Sequence, residues 1–161
     1  MIIDKARTCA FTGHRSLGRD FNRAELERVI KKLIKSGFTT FMVGMAVGFD
    51  TECFKILENF RKTEDIRIVA CIPCPSQDCK FSEKQKAEYR KMVDSADERI
   101  YISDEYTKTC MFERNKFMVD SASILVAYLN TDRGGTFNTV NYAKRQNISI
   151  IIINQKIASN F

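Results

Sequence analysis

Residues 124–145 read ILVAYL-NTDR-GGTFNTVNYAKR, and this stretch sets the reading of the whole chain. Six apolar residues without polar alternation suit a strand buried on both faces of a sheet. Asn130 to Arg133 end the run, Gly134 and Gly135 turn the chain, and residues 136–145 carry a helical pattern. A buried strand passing through a glycine turn into a helix is the repeating unit of parallel α/β folds.

The same unit recurs on either side. Residues 7–12 (RTCAFT) form a first strand stopped by Gly13, and residues 39–43 (TTFMV) a second. Between them Leu26, Val29, Ile30 and Leu33 recur at helical spacing within residues 21–35, ahead of Gly37. Cys53, Ile56, Leu57 and Phe60 mark the buried face of a second helix starting near Phe49. Residues 66–72 (IRIVACI) make a third strand, closed by Pro73 and Pro75. A helix follows over 82–96, with Ser82 as its cap and Glu83 in its first turn. Residues 99–103 and 148–153 are the remaining strands, and 111–121 is a short helix.

Strand–helix alternation of this kind implies parallel strands joined by crossover helices. The expected fold class is α/β: a Rossmann-like doubly wound, mostly parallel sheet of about six strands with helices on both faces. A closed eightfold barrel would need about 250 residues, and the chain has 161. No composition shift, linker or repeat divides it, so residues 1–161 are expected to form one domain. At that length roughly 70% of the unfolded surface is buried.

Composition excludes other classes. Apolar residues make up 44% and charged residues 29%, which excludes disorder. The longest apolar stretch, 148–153, is far below the ~18 residues of a membrane span, so no membrane partner is expected. The amino-terminal residues fit no signal peptide, and the expected compartment is the cytoplasm. Six cysteines agree with a reducing environment, Cys9, Cys53 and Cys71 lying inside apolar runs. Cys71-x2-Cys74-x4-Cys79 has neither a second pair nor a nearby histidine, so no metal is expected. Of the net charge of +6, residues 1–35 carry +5, from nine Lys/Arg against four Asp/Glu. That concentration favours an anionic partner, a nucleotide phosphate or a nucleic acid. Lys31, Lys32 and Lys35 read as the solvated face of a helix.

In open parallel sheets, ligands bind beyond the carboxyl ends of the strands, so function is sought in the strand-to-helix loops. The first loop is Thr12-Gly13-His14-Arg15-Ser16, which holds the only histidine. Gly13 permits close backbone approach, and His14 and Arg15 can donate to an anion. The second runs from Gly44 to Asp50 (GMAVGFD), where Gly44 and Gly48 bracket a turn able to cradle a phosphate or ribose. Asp50 caps the helix, contacts a ribose hydroxyl or serves as an acid or base. The spacing is not the GxGxxG dinucleotide fingerprint. The third is Arg133-Gly134-Gly135-Thr136, with Asn138 one turn on, where glycines, a hydroxyl and free helix amides make an anion site. Arg114 and Asn115 precede the fifth strand, Arg114 as a phosphate ligand or a surface ion-pair partner. Pro73 to Gln77 is expected on the same crevice, while Met111, Phe117 and Met118 read as core.

Five segments in order, FTGHR (11–15), GMAVGFD (44–50), IPCPSQ (72–77), YTKTCMFERNKFMVDSA (106–122) and GGTFNTVNYAK (134–144), carry a resemblance that covers nearly the whole chain. They resemble the SLOG superfamily, the Rossmann-like group that includes the Lonely Guy enzymes and the DNA-processing protein A fold. Within it the chain is most similar to the YpsA-like branch of bacteria and phages. The resemblance implies a nucleotide-related ligand in the crevice and pairing of copies through helices beside the sheet. The helix over 111–121 adds a physical motive for self-association, since Met111, Phe112, Phe117 and Met118 spread round much of its circumference.

Lonely Guy enzymes cleave the N-glycosidic bond of nucleoside monophosphates with an arginine before the glycine loop and a glutamate after it. Arg114 matches that arginine. Their PGGxGTxxE becomes RGGTFNTVNY here, with Asn138 and Asn141 and no acid before Tyr142. Without that carboxylate, which would stabilise an oxocarbenium-like centre, the chain reads as a binder of an ADP-ribose-type or cyclic nucleotide signal. It would act as a sensor or sequestering protein in phage–host defence signalling, with no cofactor besides that ligand. An N-glycosidic hydrolase using Asp50 or Glu52 is the alternative. Single-stranded nucleic-acid binding comes third, because no basic stripe interleaved with aromatics is present.

Overall fold

The computed structural model describes residues 2–154. After a single 3-10 turn the elements run β1 (Thr8–Gly13), α1 (Arg23–Lys35), β2 (Thr40–Val43), α2 (Phe49–Arg61), β3 (Arg67–Ile72) and α3 (Glu83–Ser95). They continue with β4 (Glu98–Tyr101), α4 (Cys110–Ser121), β5 (Ile124–Tyr128), α5 (Gly135–Arg145) and β6 (Ser149–Ile152). The six strands form one parallel sheet in the order β4-β3-β2-β1-β5-β6. This is the expected doubly wound α/β architecture.

Side chains alternate across the sheet with the strand period of two. In β5, Ile124, Val126 and Tyr128 face the layer of α1, α2 and α3, while Leu125 and Ala127 face α4 and α5. Each face buries its own apolar cluster, which is why ILVAYL shows no polar alternation. Right-handed crossovers carry the chain from β1 outward to β4 over one face. The return to β5 passes over the other face and places β5 on the far side of β1. The sheet therefore changes winding direction between β1 and β5, and the loops leaving these strands diverge around a crevice.

Element boundaries follow local chemistry. Helix α1 starts two residues after the expected position because the Asn22 side chain accepts from the Glu25 amide. Ser82 caps α3 as expected, in a full capping box with Gln85. Strand β4, expected over 99–103, is set instead by its pairing with β3 from Glu98 to Tyr101. Part of the expected surplus of apolar surface on α4 finds partners within the chain. Met118 is buried in the core, Phe117 packs against it, and Phe112, 38% exposed, stacks edge-on to Tyr142. Cys9, Cys53 and Cys71 are fully buried free thiols. Among the described residues no helix is long and apolar enough to cross a membrane.

Phe49, at the start of α2, lies beneath the β1 and β5 loops and packs against Phe11, Phe21 and Tyr128 at ring separations of 6.5, 6.2 and 6.0 Å. A Cβ at Gly13 would come within 2.3 Å of this ring, so the position requires glycine. Phe49→Ala is expected to cost about 3–5 kcal/mol of stability. Urea unfolding followed by circular dichroism measures it, as a lower midpoint at unchanged slope.

Candidate functional site

The crevice at the β1/β5 divergence has a volume of about 560 Å³. Thr12, Gly13, His14, Arg15 and Ser16 form one wall, with Asn130, Thr131, Gly135 and Thr136 opposite. Ala46, Asp50, Met111, Arg114 and Asn115 close it from the β2 and α4 sides. Nine of the residues singled out in the sequence thus meet in one place: Thr12, Gly13, His14, Arg15, Asp50, Arg114, Asn115, Gly135 and Thr136.

Arg114 is not a surface residue. Only 6% exposed, it projects from α4 beneath the carboxyl ends of the central strands. Its Nη1 donates to the Gly44 carbonyl and to the Cys71 carbonyl at 3.4 Å, and its Nε donates to Asn115 Oδ1 at 2.7 Å. Nη2 has no partner among the described residues. Asn115 Nδ2 donates onward to the Thr139 hydroxyl, which donates to the Gly135 carbonyl, linking the guanidinium to the first turn of α5. Burial lowers the Arg114 pKa and the neighbouring Asp50 opposes this. Arginine's very high ordinary value keeps it charged.

Asp50, also 6% exposed, stands in the first turn of α2. Its Oδ2 accepts from the Ala46 amide at 3.1 Å, so it ties down the loop before the helix rather than capping the helix's own amides. Its Oδ1 is buried without a hydrogen-bond partner. Burial pushes the carboxyl up to about 6, against the opposing pull of Arg114, the Ala46 amide and Arg15. A buried acid of this kind exchanges a proton near neutral pH.

The glycines divide by role. A Cβ at Gly44 would lie 2.9 Å from the guanidinium carbon of Arg114 and 3.1 Å from Asp50 Oδ2, so glycine makes room for both charges. Gly48, at φ +82, lets the β2–α2 loop pass under β1–α1, since a Cβ there would come within 2.2 Å of the Arg15 carbonyl. These two support the crevice rather than line it. Gly134, at φ +96, is the N-cap of α5 and makes no side-chain cap bond, leaving amides free at the helix start. A Cβ at Gly135 would meet nothing within 4 Å. Asn138 is exposed on α5 outside the crevice.

Other candidates are placed elsewhere. Glu52 pairs with Arg23 at 2.9 Å and lines a separate 250 Å³ cavity between α2 and α3. Gln77 does not line the crevice, but its Nε2 donates to the Gly44 carbonyl at 3.0 Å, beside Arg114. Met111, expected in the core, faces the crevice with its sulfur 3.2 Å from Arg15 Nη2. Asn130 and Thr131 were not singled out in the sequence. Their position directly after the strand at the winding change is the signal that marks them.

This arrangement defines a Rossmann-like protein with an open crevice at the winding change. The model of the YpsA family, described as the YspA SLOG family, matches residues 11–156, and the chain belongs to that family. It is 31% identical over 137 residues to the SPbeta prophage-derived protein YoqJ of Bacillus subtilis strain 168, covering 75% of this chain and 79% of that one. Two solved structures share the fold. DNA processing protein A from Streptococcus pneumoniae superposes with a TM-score of 0.68 at 16% identity over 96% of this chain. DNA processing protein A from Helicobacter pylori, described in a single-stranded DNA binding mode, gives 0.69 at 13% identity, again over 96%. The chain spans 53% of the first and 68% of the second. At these identities the likeness is one of fold.

The Asp50 carboxyl is expected to titrate at about 6 in a carbon-detected NMR titration. Removing the guanidinium with Arg114→Met should move that midpoint higher, because Arg114 favours the carboxylate. Because the folded value lies above the ordinary 3.8, the stability gained from holding the neutral acid is complete below that value and is lost as pH rises through about 6. A midpoint near 3.8 would show that the carboxyl is solvated.

Proposed function

We propose that the chain binds a nucleotide-derived small molecule of the ADP-ribose or cyclic nucleotide type in this crevice. It would serve in the cytoplasm as a sensor or sequestering protein, in a phage–host signalling setting and as an oligomer. The observation that carries the reading is the buried Arg114 guanidinium, its Nη2 open, beside the uncapped amino end of α5. Helix amides and a cation at one spot favour a phosphate. Arg15 adds a second cation on the opposite wall, its guanidinium meeting only the Met111 sulfur among the described residues. The unpartnered Asp50 Oδ1 suits a hydroxyl donor such as a ribose. Membership of the SLOG family supports a nucleotide-related ligand.

Asp50 also favours a second reading, hydrolysis of a nucleotide N-glycosidic bond. A carboxyl at about 6 in the crevice can stabilise an oxocarbenium-like centre or activate water. Glu52, turned away toward Arg23, is not placed to do so.

Calorimetric titration with AMP, ADP-ribose, a cyclic nucleotide and a single-stranded oligonucleotide tests the reading. One of the small nucleotides should bind, and the oligonucleotide should not bind more tightly. Gly135→Trp projects into open space and should keep the fold while weakening binding by at least about tenfold, about 1.4 kcal/mol. Unchanged affinity in that variant, or preference for the oligonucleotide, would sink the assignment.

Chromatography of the same nucleotides after incubation should show no free base above background. Turnover that disappears in Asp50→Asn while binding persists would establish the hydrolase instead.

A further inference from the structure

The two loops flanking the crevice are joined by four side chains. The Asn130 amide, at the head of the β5–α5 loop, donates to His14 Nε2 at 3.1 Å. The Tyr128 hydroxyl donates to Asp20 Oδ1 at 2.6 Å and accepts from the Gly18 amide at 3.1 Å. Asn130 Nδ2 donates to the same hydroxyl at 3.3 Å and to Asp20 Oδ2 at 3.4 Å. The His14 ring stands edge-on to Tyr128 at 5.4 Å. A backbone amide can only donate, so a ring that accepts it through Nε2 must carry its proton on Nδ1. Of the five residues that line the crevice from these two loops, His14, Arg15, Ser16, Asn130 and Thr131, His14 alone changes charge near neutral pH.

We propose that His14 is a latch. As the neutral Nδ1–H tautomer it holds the Asn130 amide, ties the loop before α5 to the loop before α1, and so positions the amino end of α5; protonation removes the acceptor and releases the loop. His14 is thus a positioning residue whose effect on ligand affinity rests on the proposed function, while the latch itself does not. Burial lowers the ring's pKa below its ordinary 6.5, opposed by the Asp20 carboxylate on its own loop. Tyr128 from β5 faces the ring uncharged, its own pKa raised by burial and by Asp20. Arg15, next in the chain, directs its guanidinium to Met111. With the folded value depressed, the latch's contribution is present above 6.5 and is lost as pH falls below it.

Nitrogen-15 NMR on the full chain tests the latch without any ligand. At about pH 8 the His14 ring should show the Nδ1–H tautomer, and the Asn130 amide resonance should shift with the same midpoint as the ring as pH falls. His14→Gln retains an acceptor at the Nε2 position and should keep the Asn130 resonance in place throughout. His14→Ala should show the released state even at pH 8. An Nε2–H tautomer, or an Asn130 amide indifferent to the ring's titration, would overturn the latch.

ADP-ribose affinity then tests its effect. It should fall in the wild type by up to about tenfold per pH unit below the ring's midpoint, the limit for one linked proton, and should be flatter in His14→Gln. A wild-type decline reproduced unchanged in His14→Gln would assign it to Asp50 and overturn the link between latch and ligand. Absence of ADP-ribose binding at every pH, with the NMR coupling intact, would support the latch and remove the ligand reading for that nucleotide.

Discussion

Burying the Arg114 guanidinium beneath the carboxyl ends of the central strands obliges the surrounding chain to replace the water it has lost. Desolvating such a cation costs several kcal/mol unless its donors are met. The Gly44 and Cys71 carbonyls and the Asn115 side chain meet them, with Asp50 as the nearby opposite charge. Gly44 is glycine because a side chain there would occupy the space of both charges. Gln77 braces the same carbonyl and is itself held by Tyr89 of α3, whose hydroxyl donates to Gln77 Oε1. From one buried charge the constraint thus reaches β2, β3, α3, α4 and, through Asn115 and Thr139, the first turn of α5.

The winding of the sheet decides where this constraint becomes a site. Because β5 lies on the far side of β1 from β2, the loops from β1 and β5 separate instead of packing together. The gap receives the free amides of α5, the open edge of Arg114 and the buried acid of Asp50. Phe49, Phe11, Phe21 and Tyr128 form an apolar floor beneath the loops. Tyr128 serves both parts, its ring in that floor and its hydroxyl in the bridge between the two loops.

Much of this was legible in the sequence because strands buried on both faces and amphipathic helices leave strong periodic signals. ILVAYL, IRIVACI and the spacing of Leu26, Ile30 and Leu33 led directly to the layers observed. Nine candidate residues met in the crevice because the carboxyl-end rule depends only on strand order. The roles of Gly44 and Gly48 were not legible, since a glycine that makes room for a distant side chain looks the same as one that cradles a ligand. Neither was the depth of Arg114, whose neighbours come from β2 and β3, more than forty residues away. Glu52 could not be separated from Asp50 by spacing alone: two positions along a helix rotate the side chain by about 200°. Asn130 lies in a polar run without a motif: its place directly after β5 marks it for the crevice, but its part in joining the loops appears only in its hydrogen bonds to His14, Tyr128 and Asp20.

Native mass spectrometry of the purified protein, followed by extraction and identification of any retained small molecule, tests the central claim most directly. The account predicts a nucleotide-derived, phosphate-bearing ligand retained by the wild-type chain, or taken up by it on incubation with such nucleotides, and not by Gly135→Trp. A wild-type chain that neither retains nor takes up any such nucleotide, or a Gly135→Trp variant that holds one equally well, would contradict it.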